Sequence, residues 1–173
     1  MSRSIAVACV WLVTATGSAT DAASRAARFV DPIQGFSVEV AALGEAGGAP
    51  VLQRLSVSGV PEDGFATNCN VQVQFASMSL EAYRDLSSSQ FAEMGFEVHR
   101  QKERTVSGRP AVTFEYSGEL SGRKLRFASL AVGGEDRFWL LTCTALAEKF
   151  ERHRAEFAEV IDSFSLVERA KPG

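Results

Sequence analysis

Residues 123–145 read RKLRFASLAVGGEDRFWLLTCTA, two apolar segments that are joined by four turn-forming residues. The segments 123–132 and 137–145 are long enough to be strands, and GGED (133–136) lies between them. Short glycine-bearing loops of this kind join neighbouring antiparallel strands. This stretch therefore predicts a β-hairpin within a predominantly antiparallel sheet.

Further strands are indicated on both sides of the first helical stretch. Alternating or apolar runs bounded by turn residues predict five more strands. They are GFSVEV (35–40), VLQRLSVSG (51–59), NVQVQFAS (70–77), FEVHRQKERTV (96–106) and RPAVTFEYS (109–117). Ser107-Gly108 and GELSG supply the turns after the last two. The residues 24–34 show no clear periodicity, and the glycine- and alanine-rich residues 42–50 are interpreted as a mobile loop.

Two segments change to a helical period. Residues 79–95 place apolar side chains on one helical face, with Ser79 as N-cap and Gly95 at the left-handed position after the helix. Residues 146–166 carry an apolar stripe opposite a charged face. The order is three strands, a helix, four strands and a helix. We therefore expect an α+β domain in which helices pack on a mostly antiparallel sheet.

Length, composition and charge restrict the class of protein. The chain has 173 residues, 46% of them hydrophobic and 23% charged, which suits one globular domain. Its net charge of −3 gives no basic footprint of the kind that nucleic-acid binding needs.

The N-terminus has the three parts of a secretory signal peptide. Arg3 supplies a positive charge, residues 4–17 are uncharged, and small residues follow. Cleavage is expected after Ala19 or Ala22, so residues 1–22 are assigned to the signal peptide and 23–34 to an N-terminal lead. The apolar run is too short to span a membrane. Cys9 comes too early for a lipoprotein signal, so we expect an exported protein in the periplasm or secreted, with no membrane span after cleavage.

Cys69 and Cys143 are the two cysteines that remain after cleavage. An oxidising compartment favours a disulfide between them. A redox pair would normally have the Cys-x-x-Cys spacing, and a zinc site would need further ligands nearby. We therefore interpret the two cysteines as a structural bridge between two strands.

Several motifs together resemble the PsbP-like family, including its bacterial DcrB-type members. They are a helix that opens on SLEAY (79–83), a turn SGRPA (107–111) that leads into a strand, and a final helix that ends in IDSF (161–164). The resemblance covers one domain, residues 35–167, and leaves 168–173 as a tail. It implies an α/β/α sandwich, no catalytic residues and an accessory role. Many members have a proline and a tryptophan after the first strand, where this chain has AAL (41–43).

No catalytic or cofactor site is expected from the residue pattern. His99 lies in a charged strand and His153 on the polar side of the last helix, and neither has a metal-ligand spacing to another histidine or a cysteine. We interpret both histidines as solvated. The sequence therefore predicts no enzyme, no metal site and no cofactor.

One group of cations is a candidate partner-binding stripe. Strand alternation places Arg100, Lys102 and Arg104 on one face, and Lys124 and Arg126 share a face on another strand. If the strands are neighbours through 109–117, an acidic chain carries a local basic stripe. A solubilising sheet face would explain the same pattern. The functional interpretation is a surface for an anion or an acidic partner.

The main functional hypothesis is an exported, non-enzymatic binding or accessory protein of the bacterial periplasm. It would act through a protein-interaction surface on an unidentified protein or anionic partner in the cell envelope. The alternative is an adaptor for secreted toxins, of the Eag type, or a periplasmic immunity protein. Eag-type adaptors act in the cytoplasm, so the signal peptide argues against them and is compatible with the immunity protein.

Overall fold

The computed structural model describes residues 27–40, 46–47 and 53–168. The predicted signal peptide, the first part of the predicted lead, most of the predicted loop at 42–50 and nearly all of the predicted tail lie outside these residues. Among the described residues, no helix is both long enough and apolar enough to cross a membrane.

Two helices and two antiparallel sheets make up the described fold. The elements are β1 (Ala27–Asp31), β2 (Phe36–Val40), β3 (Ala46–Gly47), β4 (Gln53–Ser58), β5 (Asn68–Phe75), α1 (Leu80–Glu93), β6 (Glu97–Val106), β7 (Arg109–Leu120), β8 (Arg123–Gly133), β9 (Arg137–Leu146), α2 (Phe150–Ser163) and β10 (Ser165–Leu166). The large sheet has the order β3-β4-β5-β9-β8-β7-β6, and the small one has the order β1-β2-β10. The predicted α+β class with a mostly antiparallel sheet is confirmed.

The core has two layers because the helices lie on opposite faces of the large sheet. Buried side chains of α1, including Tyr83 and Phe91, pack with Phe114 and Phe127 on one face. Those of α2, including Phe157, pack with residues of β5, β8 and β9 on the other. This is the predicted α/β/α sandwich.

Tight turns connect β6 to β7 and β7 to β8. Ser107 and Gly108 have φ values of 49° and 75°, and Ser121 and Gly122 have values of 52° and 73°. Left-handed values at both central positions define the two-residue turns that match the twist of a hairpin. β7 consequently extends to Leu120, beyond its predicted end at residue 117.

Local signals placed α1 correctly. The Ser79 hydroxyl accepts a hydrogen bond from the Ala82 amide at 3.1 Å, which caps the first turn. Gly95 follows the helix with φ of 70°, a conformation that suits glycine. The predicted helix at 79–95 is confirmed within the usual uncertainty of its ends.

The predicted helix at 146–166 is too long at both ends. Leu146 pairs with Leu125, so it still belongs to the sheet, and the next amide, of Ala147, bonds to the Lys124 carbonyl at 2.9 Å. At the other end, Leu166 pairs with Phe36 of β2. Sheet pairing therefore overrides the helical period at each end.

Besides β10, which replaces the end of this predicted helix, two further short strands were not predicted. β1 lies in the segment that was interpreted as lacking periodicity, and β3 lies in the predicted loop. Side chains of β1 alternate between two environments: Arg28 and Val30 are exposed, whereas Phe29 packs against the core and Asp31 is buried. One apolar contact is too weak a pattern to identify a strand from the sequence.

Candidate partner-binding surface

The five predicted cations lie on one face of the sheet. Arg100 of β6 lies opposite Glu115 of β7, and Arg126 of β8 lies opposite Ser117 of β7. Glu115 and Ser117 are two residues apart on β7 and therefore share a face. Directly opposed residues of antiparallel strands project to the same face. The other three cations, Lys102, Arg104 and Lys124, occupy the same side by alternation.

This face is the one on which α2 lies. Arg104 bonds to Asp162 of α2 at 2.7 Å, and Arg126 lies 3.3 Å from Glu151 of the same helix. The helix packs mainly on β2, β8 and β9 and reaches β6 and β7 through ion pairs, which leaves the part of β6 farther from the helix uncovered. The exposed side chains of Arg100 and Lys102 stand on that uncovered part. We call this surface, formed by Arg100, Lys102, Arg104, Lys124, Arg126 and Arg154, the basic face.

Carboxylates neutralise half of the basic face. Glu115, whose side chain is only 11% exposed, lies between two arginines and bonds to both of them, Arg126 and Arg154. Its two bonds from Arg154 measure 2.7 and 3.0 Å. Arg154 also bonds to Glu151 at 2.7 Å. Both guanidinium groups lie over the ring of Phe150, 4.9 and 5.2 Å from its centroid.

Sequence reasoning missed Arg154 and Glu115. The i,i+3 spacing of Glu151 and Arg154 is a visible signal for an ion pair on α2. The contact of Arg154 with Glu115 on β7 depends on the position of the helix across the sheet, and no local pattern shows that position.

The uncompensated charge is concentrated at Arg100 and Lys102. Neither side chain has a carboxylate within ion-pair distance in the part of the chain that the structure describes. Lys124 is also exposed and has no ion pair among the described residues, but it lies at the far end of the face. The unpaired positive charge of the basic face is therefore concentrated on the edge strand β6, while Arg104, Arg126 and Arg154 are paired with carboxylates.

The two histidines lie in different surroundings. His99 contacts Ser117 at 2.7 Å and Glu97 at 3.6 Å near the β-bulge of β6. Both histidines were predicted to be solvated, and both are only partly so. The His99 side chain is 26% exposed, and the His153 side chain is 23% exposed and its ring stacks on Phe157. His153 lines a cavity of about 170 Å³ between α2 and the connection after β4.

Ion-paired residues line the cavity at His153. Lys149 bonds to Glu62 at 3.1 Å and also to Asp63. These two ion pairs join the start of α2 to the connection between β4 and β5. These bonds raise the pKa of Lys149 and lower the pKa of Asp63. His153 contacts Glu156 at 3.2 Å and the Thr67 hydroxyl at 3.4 Å, the outer limit of a hydrogen bond. The described residues contain no group of three or more His, Cys, Asp or Glu side chains that is arranged for a metal.

We expect Glu115→Gln to reduce stability at pH 7 by about 2 kcal/mol, because hydrogen bonds to charged groups contribute about that amount. The Arg154 guanidinium, with a further bond from Arg126, holds the pKa of Glu115 below its ordinary value, although partial burial opposes this. A carboxyl group whose pKa is lower in the folded state stabilises the fold at pH values above its unfolded-state pKa. This stabilisation is lost as the pH falls through the folded-state pKa. Urea unfolding between pH 7 and pH 3 measures both effects.

The matched control is Glu159→Gln, which changes an exposed carboxylate on α2. The difference in stability between wild type and Glu115→Gln should shrink on acidification, while the control stays close to wild type throughout. A constant difference from pH 7 to pH 3 would show that the Glu115 charge is not the stabilising feature.

Comparisons with known proteins agree with this architecture. A family model described as PsbP matches residues 53–166. The solution structure of the cyanobacterial PsbP protein CyanoP from Synechocystis sp. PCC 6803 is 16% identical, with a TM-score of 0.56 over 88% of this chain and 98% of that one. No curated protein sequence matches the chain.

Two further solved structures share the fold. LpqN, described as involved in cell envelope biogenesis of Mycobacterium tuberculosis, is 11% identical, with a TM-score of 0.55 over 83% of this chain and 85% of that one. PA94 from Pseudomonas aeruginosa, described as of unknown function, is 16% identical, with a TM-score of 0.51 over 78% of this chain and 92% of that one. At these identities the similarity concerns the fold.

Proposed function

Because the chain belongs to the PsbP family, we propose that it is an exported, non-enzymatic accessory protein that binds an acidic partner protein through the basic face. The observation that carries this proposal is the pair of exposed, uncompensated cations on β6, Arg100 and Lys102. They are exposed on the α2 side of the sheet, on a chain whose net charge is −3.

The strand scaffold makes this pair a better binding element than two scattered surface cations. Residues two apart on a strand stand about 7 Å apart on the same face, so their positive potentials add. The β6–β7 ladder and the pairing of Arg104 with Asp162 hold the neighbourhood in one arrangement. An acidic partner would relieve the repulsion between the cations, and the field would speed its approach.

Export is part of the proposal and is supported by two lines of reasoning. The predicted signal peptide at 1–22 would direct the chain to the periplasm, where Cys69 and Cys143 can be bonded as they are in the structure. LpqN, which shares the fold, is a protein described as acting in cell envelope biogenesis. We extend an envelope location from that protein to this one as a hypothesis.

The non-enzymatic role in this proposal rests on the PsbP family, whose members generally act as accessory proteins. His99 contacts a hydroxyl and a carboxylate, those of Ser117 and Glu97. His153 likewise contacts Thr67 and Glu156, although its contact with Thr67 is long. The ion pairs of Lys149 with Glu62 and Asp63 beside it give this region a structural explanation, the attachment of α2 to the β4–β5 connection.

Charge reversal tests the proposed binding surface. We expect Arg100→Glu with Lys102→Glu to lower the association rate for the periplasmic partner on the order of tenfold at low salt, because attraction becomes repulsion. The mature chain is immobilised and periplasmic extract is passed over it at 50 and 300 mM NaCl. Capture by wild type should weaken as salt rises, and the double variant should show little of the salt-sensitive signal.

The single variants Lys102→Glu and Arg152→Glu form a matched pair for this experiment. Both replace an exposed cation and change the net charge equally, but Arg152 lies on α2 near Glu62, away from the basic face. Only Lys102→Glu should reduce capture. Equal reduction by both would mean that total charge matters and would remove the support for a specific surface.

A further inference from the structure

β6 forms an open edge of the large sheet. Among the described strands it pairs with β7 alone, and it is ten residues long. Its residues from Glu97 to Glu103 are all exposed. An edge strand presents a row of unpaired backbone N–H and C=O groups, to which another extended segment can bond.

The hairpin determines which amides of β6 point outward. The turn between β6 and β7 has two residues, and in such a turn the flanking pair, Val106 and Arg109, exchanges both hydrogen bonds. Hydrogen-bonded pairs alternate from there, which directs the amides of Arg104, Lys102 and Arg100 toward β7. The outward-directed amides therefore belong to Thr105, Glu103 and Gln101.

Pro110 supports this assignment independently. It lies opposite Thr105 and has no N–H to donate. The missing N–H of Pro110 removes no hydrogen bond from the β6–β7 ladder if Thr105 and Pro110 form a non-hydrogen-bonded pair. In such a pair the Thr105 amide points away from β7, which agrees with the assignment from the turn. The side chains of the outward-directed residues lie on the α1 face, while the cations between them lie on the basic face.

We propose that β6 accepts an extended acidic segment of the partner as an additional antiparallel strand. The inference rests on the proposed function, since it specifies how the partner engages the basic face. In this arrangement, carboxylates on alternate residues of the segment stand beside Arg100, Lys102 and Arg104, while the intervening residues bond to the outward-directed backbone of β6.

Charge complementarity selects this occupant over a second copy of the chain. If two β6 strands paired antiparallel with their basic faces on the same side, cations would stand opposite cations in each overlapping register around Arg100, Lys102 and Arg104. Opposed like charges destabilise strand pairing. Charged residues on edge strands protect sheets from self-association through this repulsion. An acidic strand would instead be attracted by the cations of β6.

The test uses a capped decapeptide of alternating threonine and glutamate with the 15N-labelled mature protein. In an antiparallel pair, the threonine amides face β6 and the glutamate side chains face the cations. We expect amide exchange to slow at Gln101, Glu103 and Thr105, while Arg100, Lys102 and Arg104, already bonded to β7, stay unchanged. A peptide of alternating threonine and lysine should have no effect.

Backbone methylation separates strand addition from simple charge attraction. Methylating the threonine amides of the peptide should weaken binding at least tenfold, whereas methylating the glutamate amides should leave binding near the unmodified level. Any other pattern, or no binding at 1 mM peptide in low salt, overturns antiparallel strand addition. A different result would contradict the proposed function itself: capture of the periplasmic partner that is unchanged by Arg100→Glu with Lys102→Glu.

Discussion

Replacing Cys69 and Cys143 together with alanine is expected to lower the free energy of unfolding by about 4 kcal/mol. The two residues are 74 positions apart and their sulfurs are bonded. They are directly opposed on β5 and β9, in the middle of the large sheet. A cross-link over a loop of this length mainly restricts the unfolded chain, and a domain of ordinary stability has only about 5–15 kcal/mol in total. Urea denaturation at pH 7 measures the loss.

Reduced wild-type protein is the matched control, because it keeps both sulfur atoms and loses only the bond. After reduction under denaturing conditions and refolding in reductant, it should have nearly the stability of the double variant. Native protein should resist the same reductant, since Cys69 and Cys143 are only 1% and 0% exposed. A loss below about 1 kcal/mol in both samples would show that the bridge contributes little.

The elements that sequence reasoning placed well are those with local causes. Ser79 and Gly95 mark the ends of α1 through capping and a left-handed backbone, both of which depend on neighbouring residues. Ser107-Gly108 marks a hairpin for the same reason. The bridge partner could be predicted because two cysteines follow the predicted signal peptide and an oxidising compartment, if the chain is exported, favours their bonding.

The errors occur where contacts distant in sequence decide the structure. Leu146 continues a helical pattern in the sequence but pairs with Leu125 in the sheet. β10 exists because it pairs with β2, more than a hundred residues earlier, and no local pattern shows such a partner. Tertiary pairing overrides local periodicity at these positions.

The basic face was predicted in part, for a related reason. Alternation with a period of two predicts from the sequence that Arg100, Lys102 and Arg104 share one side of the strand. Pairing of Arg104 with Asp162, and of Arg126 with Glu115 and Glu151, follows from where α2 crosses the sheet. From the sequence alone the five cations look equivalent, whereas in the structure Arg104 and Arg126 are paired with carboxylates and Arg100 and Lys102 on the edge strand are not.

Gly118→Ala is expected to destabilise the protein by about 3 kcal/mol, the upper part of the usual range for overpacking a core. An added Cβ would lie 1.9 Å from a ring carbon of Phe96. Phe96 is only 7% exposed and its ring stacks near Tyr116 and Phe127, so it cannot move aside without breaking those contacts. The sign is informative, because alanine in place of a mid-strand glycine otherwise stabilises by about 0.5–1 kcal/mol.

A double-mutant cycle identifies Phe96 as the cause of this loss. Phe96→Ala alone should cost about 3–5 kcal/mol, as other buried aromatic truncations do. In the Gly118→Ala background the same truncation should cost clearly less, because it also removes the overlap between the new methyl group and the ring. The coupling should therefore favour the double variant by about 1–3 kcal/mol, the size seen for residues in contact. Additive losses would place the strain of Gly118→Ala elsewhere, and the close approach of β7 to the Phe96 ring would no longer explain the glycine.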